Sequence, residues 1–283
     1  MSSQNNDREV VITAKTSLLD LNLAELWHYR DLILLFVKRN YSTRYKQTIL
    51  GPLWLLLNPL ISTTLYIVIF TSVAHLPTDG IDALAFYLSG SIIWSLFSAC
   101  LNQTSNTFLA NAGIMGKVYF PRLVMPISTV LTSMLDFVIQ FGLLLAIMLI
   151  QVLRGEQYHP NAYILLIPLI IVQLSILGLG FGIIVSSLTT KYRDLTILVG
   201  FGLRLWMYLC PVVYSYSMIP EAYQTLYLLN PVTPSLMLFR YALYGSGGTP
   251  VGMWGVSWIV TAIVLIVGVI IFNKIEKTFM DTV

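Results

Sequence analysis

Long, almost uncharged apolar runs recur along this chain, and each must either be hidden from water or lie in lipid. They fall at about Ile49–Ala74, Leu84–Leu109, Leu123–Leu153, Tyr163–Leu188, Leu195–Val213 and Met253–Phe272. A helix rises about 1.5 Å per residue, so about 20 residues cross the ~30 Å hydrocarbon core of a bilayer. The runs are rich in Leu, Ile and Val without period-two alternation, which favours helices over a barrel. Composition agrees. Of the 283 residues 57% are hydrophobic and 10% charged, against about 25% charged in soluble domains. The expectation is an all-α integral membrane protein with six transmembrane helices within residues 49–272.

Net charge is only +3, but the basic residues are unevenly placed. Arg8, Lys15, Arg30, Lys38, Arg39, Arg44 and Lys46 precede the first run. Lys117, Arg122, Lys191, Arg193, Lys274 and Lys277 fall in alternate connections and the C-terminal segment. The opposite connections hold only Arg154 and Arg240. Lys and Arg accumulate on the cytoplasmic side, so both termini are expected in the cytoplasm, a parity that six crossings satisfy. Residues 1–21 read as a polar cytoplasmic tail without the apolar core of a cleavable leader, and 273–283 as a second cytoplasmic tail.

Two segments depart from plain spans. Residues 22–48 place Leu23, Leu26, Trp27, Leu34, Val37, Tyr41 and Tyr45 at helical steps. Asn22 and Glu25 form a candidate capping pair. A basic helix with Trp and Tyr on its apolar side is expected to lie in the membrane interface, with Gly51-Pro52 turning the chain into the first span. Arg39, Arg44, Tyr45 and Lys46 then meet lipid head groups, or serve only as a topology anchor. Residues 214–246 hold two apolar pieces of about a dozen residues, broken by Asn230-Pro231 and Pro234. Pieces that short are expected to enter the membrane from one side and turn back.

Signatures of catalysis are missing. There is no GxxxxGK[ST] phosphate loop; Gly113-Ile-Met-Gly116-Lys117 has the wrong spacing and no Ser or Thr after the lysine. His28, His75 and His159 are scattered, HExxH and GxSxG are absent, and no metal set is expected. Cys100 and Cys210 lie in apolar runs, so no disulfide framework is read. Two charges fall inside spans, Asp136 and Arg204. Intramembrane charges are costly and face the bundle interior or a watery path. Asp136 and Arg204 are read as one ion pair, or Arg204 as bound to backbone carbonyls; alternatively one of them touches a polar or anionic substrate. Aromatic residues concentrate at Trp206, Tyr208, Tyr214, Tyr216, Tyr223, Tyr227, Phe239, Tyr241 and Tyr244. They are either an interface belt or the lining of an exit path, where rings stack on apolar faces and hydroxyls bond polar groups. Trp54 and Trp94 extend the candidate path into the first two spans.

RNYSTRYKQTILGPLWLLLNPL (Arg39–Leu60), GKVYFPRLVMP (Gly116–Pro126), KYRDL (Lys191–Leu195) and LNPVTPSLMLFRYALYG (Leu229–Gly245) together resemble the ABC-2 type permease family, in its polysaccharide-export branch. The resemblance runs from about Trp27 to the end of the chain. Where many members carry an acidic residue shortly before the position of Arg240, Ser235–Phe239 has none. The resemblance implies a homodimeric membrane channel served by two copies of a separate ATP-binding subunit. ATP and Mg belong on that partner, and this chain is not an enzyme. The loop 111–122, with Asn111, Gly113, Gly116, Lys117, Tyr119, Phe120, Pro121 and Arg122, is implied to couple to the partner. Segment 214–246 is implied to be an outer gate. The cargo is implied to be a lipid-linked polysaccharide of the O-antigen, capsule or teichoic acid type, moved across the bacterial cytoplasmic (inner) membrane, and Arg39, Arg44 and Lys46 then stand where they attract lipid head groups or the pyrophosphate of a polyprenyl-linked glycan. No nucleic acid is implied. The rivals are an ABC-2 exporter of a small hydrophobic drug or lipid, an ion-coupled secondary transporter, which calls for inverted repeats and midplane coupling residues, and a membrane-embedded glycosyl- or acyltransferase, which calls for paired acid and base groups.

Overall fold

The computed structural model describes residues 23–46, 48–115, 120–189, 192 and 194–279. Every regular element among them is helical. In chain order these are α1 (Leu23–His28), α2 (Arg30–Tyr45), α3 (Trp54–Tyr66), α4 (Ala83–Ser105), α5 (Thr107–Met115), α6 (Val124–Leu153), α7 (Ile167–Thr189), α8 (Leu195–Tyr208), α9 (Glu221–Leu229), α10 (Thr233–Tyr244) and α11 (Val251–Phe279).

Among the described residues five stretches are long and apolar enough to cross a membrane: Gly51–Val73, Ala83–Ser105, Val124–Leu153, Ala162–Thr189 and Val251–Lys274. The fifth apolar run of the sequence, Leu195–Val213, is not one long helix. Its helical part α8 has 14 residues, about 21 Å at 1.5 Å per residue. Pro211 has no N–H to continue the ladder, and a proline biases the residue before it away from helix. The backbone instead turns, with Val212 N donating to Cys210 O at 2.7 Å. The second run also ends early, at Ser105, and Asn106 separates it from α5.

α4 is the centre of the bundle. Of its spanning window 72% is buried, against 17% for Gly51–Val73. It packs on α7, α6 and α3, and α7 packs in turn on α11. Close approach of α4 and α7 depends on small residues, as is common where lipid supplies no hydrophobic drive. A Cβ on Gly178 would lie 2.6 Å from Cys100 Cβ, and one on Gly182 2.5 Å from Thr104 Cβ. Asp82 starts α4 by accepting from Leu84 N at 2.9 Å and Ala85 N at 3.2 Å, which satisfies amides left free at a helix start.

The first span changes helical type along its length. A 3-10 turn at Gly51–Leu53 leads into α3, and α3 passes into a π-helical stretch at Ile67–Val73. Gly51 sits at φ +51°, a left-handed conformation that glycine adopts without steric cost, and it redirects the chain after α2. Asn22 of the expected capping pair lies outside the described residues. Helix α2 packs along α6, so its apolar residues face two ways. Phe36 and Val37 are buried, whereas Leu34 and Leu35 are at least 60% exposed, and in α1 Leu26 is buried and Trp27 exposed.

Segment 214–246 forms two helices, α9 and α10, separated at Asn230-Pro231. α10 is almost wholly buried. Ser235 Oγ donates to Gln173 Oε1 at 2.5 Å, and Gln173 Nε2 donates to Thr261 Oγ1 at 3.1 Å. That chain of bonds ties α10, α7 and α11 in the core.

Candidate functional site

A cavity of about 630 Å³ opens between the end of α2 and one face each of α3, α4 and α6. The sequence builds it by setting polar residues at helical spacing within apolar runs. Asn58 and Ser62 are one turn apart on α3, and Ser91, Ser95 and Ser98 form a stripe on α4. Ser133, Asp136 and Gln140 do the same on α6. Rings interleave with them: Trp54, Tyr66, Trp94 and Phe137 all line the cavity. Pro59 also lines it and removes one amide from α3's hydrogen-bond ladder.

One ion pair crosses the cavity wall. Arg44, in the last turn of α2, donates through Nη1 to Asp136 Oδ2 of α6 and through Nη2 to Gln103 Oε1 of α4 at 2.6 Å. Asp136 is 8% exposed, and its Oδ1 has no hydrogen-bond partner among the described residues. Tyr45 lies beside the pair. Burial pushes its hydroxyl above the usual phenol range, and the Asp136 carboxylate adds to that shift. Five residues upstream, Arg39 Nη2 donates to Asn111 Oδ1 of α5 at 2.9 Å and the guanidinium lies 4.7 Å from the Phe36 ring. Burial lowers the Arg39 pKa. Phe36 in turn meets Phe120 at 5.9 Å between ring centres.

The intramembrane charges read from the sequence are thus not partners. Asp136 bonds Arg44, while Arg204 lies exposed on α8. The buried arginine held by carbonyls is Arg240 on α10, which the sequence reading placed in a connection. It is 6% exposed. Nη1 donates to Pro211 O at 2.6 Å, Nη2 to Val212 O at 2.7 Å and Phe86 O at 3.1 Å, and Nε to Ser89 Oγ at 3.4 Å. Its Cζ sits 3.7 Å from the Phe86 ring centre. Gly90 leaves room for it: a Cβ there would lie 2.5 Å from Arg240 Nη2 and 2.6 Å from Val212 O.

The aromatic set divides. Trp54 and Trp94 face the cavity. Trp206 packs edge-on against Phe97 at 5.1 Å and Phe181 at 5.3 Å, and donates through Nε1 to Asn230 Oδ1 at 3.2 Å. Tyr241 meets Tyr163 at 5.6 Å. Phe239 and Tyr244 are buried in the core. Tyr214, Tyr223 and Tyr227 line a separate cavity of about 440 Å³ with Leu76 and Met218 to Pro220. Tyr214 donates to Tyr208 O at 2.9 Å, and its hydroxyl pKa is raised, first by burial. Tyr216 lines a third cavity with Asp79 and Arg240.

Of the loop 111–122, Asn111 and Gly113 belong to α5, with Gly113 exposed. Phe120 is buried and Pro121 O accepts from Val124 N at the start of α6. Arg122 sits in that same turn. Gly116, Lys117 and Tyr119 lie outside the described residues. Lys46 is exposed just beyond α2. Sequence reasoning missed Asn58, Ser62, Gln103 and Gln140; their polar spacing within apolar runs was the available signal.

Residues 31–244 match the ABC-2 type transporter family. The chain is 29% identical over 251 residues to an O-antigen export system permease protein RfbA of Klebsiella pneumoniae, covering 89% of this chain and 94% of that protein. It is 29% identical over 225 residues to an O-antigen export system permease protein RfbA of Myxococcus xanthus, covering 78% and 82%. A polysialic acid transport protein KpsM of Escherichia coli is 25% identical over 248 residues, covering 86% and 93%. With three quarters of its length matched, and with the helical membrane architecture just described, the chain belongs to the ABC-2 type transporter family.

Proposed function

We propose that this chain is the membrane-spanning permease subunit of an ATP-driven exporter, and that it moves a lipid-linked polysaccharide outward across the bacterial cytoplasmic membrane. The observation that carries the cargo class is the cavity. Hydroxyl and amide side chains alternate there with indole and phenol rings. Sugars have the same two faces, polar edges and apolar flats, and rings with polar neighbours suit them. A path for a small hydrophobic compound has no use for that many hydroxyls and amides.

In this reading two copies assemble, and two copies of a separate ATP-binding subunit dock from the cytoplasm carrying ATP and Mg. They seat against residues 111–122. Asn111 then passes their motion through Arg39 into α2, and Arg44 passes it to the cavity wall at Asp136 and Gln103. α8 with the turn to Val213 makes a sixth crossing, which keeps both termini cytoplasmic. α9 and α10 re-enter from outside and form the gate. Exposed Lys38 and Lys46 meet lipid head groups. Cycles of ATP binding and hydrolysis bias this two-state assembly between inward-open and outward-open forms.

The test is ATPase activity of the reconstituted complex with and without a polyprenyl-linked glycan. Stimulation that is lost in Asn111→Ala, with the complex still assembled, supports both cargo and coupling route. A complex that ignores glycans and responds to small hydrophobic compounds would overturn the cargo assignment. Failure of any ATP-binding subunit to associate would overturn the whole reading.

A further inference from the structure

We infer that the cavity selects for uncharged glycan and against polyanionic glycan, and that the Arg44–Asp136 pair sets this selectivity; the inference rests on the exporter reading above. Among the described lining residues the only formal charges are Arg44 and Asp136, and they are bonded to each other. The wall is therefore neutral overall. A second copy contributes the same lining and leaves that balance unchanged. The remaining polar groups, such as Asn58, Ser62, Gln103 and Gln140, are neutral donors and acceptors.

A neutral sugar loses water on entering such a space and regains hydrogen bonds from these side chains. A carboxylate or phosphodiester on each repeat would lose its hydration without meeting a free cation, which is costly in a low-dielectric setting. Arg44 is the cation nearest to hand, with a side chain 32% exposed, but Asp136 already holds it. The carboxylate thus acts as an internal occupant of the place an anionic cargo would need. Removing its charge would release Arg44 toward the cavity and turn a neutral wall positive.

The experiment compares two probes on the reconstituted complex: a polyprenyl-linked neutral glycan, and the same glycan bearing one carboxylate per repeat. Stimulation of ATP hydrolysis is read as a function of concentration. In the wild type the carboxylated glycan is expected to require about tenfold more for half-maximal stimulation. Asp136→Asn is expected to reduce that ratio to about threefold or less. The double variant Arg44→Gln with Asp136→Asn has a neutral wall again and is expected to restore it. Equal or better response of the wild type to the carboxylated glycan overturns the inference, and that comparison stands even if a variant fails to assemble. An unchanged ratio in an assembled Asp136→Asn complex, or a low ratio persisting in the double variant, overturns the role of the pair. If neither glycan stimulates the wild type while the ATP-binding subunit associates and hydrolyses ATP, the exporter reading falls, and this inference falls with it.

Discussion

Arg44 and Arg240 both bind into the helical bundle, and their environments are opposite. Arg44 sits at a cavity, faces a carboxylate and keeps a third of its side chain accessible. Arg240 is buried, and it donates to three backbone carbonyls and a serine hydroxyl. A buried guanidinium with its donors committed to carbonyls is a structural tie, since removing it strands the acceptors. The Arg44–Asp136 pair joins two helices at a cavity wall and sets the field inside the cavity. The same side chain therefore builds the fold in one place and lines a cavity in the other.

The largest effect is expected from Arg240→Met, which leaves the carbonyls of Pro211 and Val212 without this donor; Phe86 O still accepts from Ser89 Oγ. A loss of about 3–5 kcal/mol is expected, seen as failure to recover monodisperse protein from detergent. Arg240→Lys is not expected to rescue it, because an ammonium lacks the planar fork that reaches several carbonyls at once. Rescue by lysine would break the comparison, by showing that charge and not geometry matters there.

Trp206→Ala and Trp54→Ala extend the contrast to the rings. Trp206 joins Phe97, Phe181 and Asn230, so its truncation is expected to cost about 3 kcal/mol, measured by thermal unfolding in detergent. Gly90→Ala comes next, at about 2 kcal/mol, because the added methyl must displace Arg240 or the Val212 carbonyl. A Gly90→Ala protein as stable as the wild type would show that the turn around Pro211 yields easily. Trp54 is 42% exposed on the cavity. Its truncation is expected to change stability by about 0.5 kcal/mol or less while reducing glycan-stimulated ATP hydrolysis. If Trp54→Ala unfolds the protein and Trp206→Ala only slows export, the assignment of the two rings is reversed.

Residues 22–48, expected from their spacing to form one interfacial helix, show where reading a sequence runs short. Helical spacing put Leu26, Trp27, Leu34 and Val37 on one apolar side, yet α2 packs along α6 with Val37 buried and Leu34 exposed, and α1 buries Leu26 while exposing Trp27. Spacing reports which residues share a turn, not which neighbour arrives. The fifth apolar run makes a related point. Hydropathy alone treats Leu195–Val213 as one span, whereas Pro211 ends the ladder and Arg240, distant in sequence, captures the freed carbonyls.

The sequence by itself determined the membrane class, the helical composition, the places of most spans and the break at Asn230-Pro231. Each follows from local physics: lipid demands self-satisfied backbone, and proline supplies no N–H to a helix ladder. Tertiary structure alone decided that Asp136 belongs to Arg44 and not to Arg204, that Arg240 is a core tie, and that Trp54 and Trp94 face the cavity beside Arg44 while Trp206 and Tyr241 do not. Those outcomes depend on contacts across tens to hundreds of residues, such as the 92 between Arg44 and Asp136. Apolar residues on a membrane helix face lipid or neighbour with nearly equal ease, so only packing decides which side chains are left to line a path.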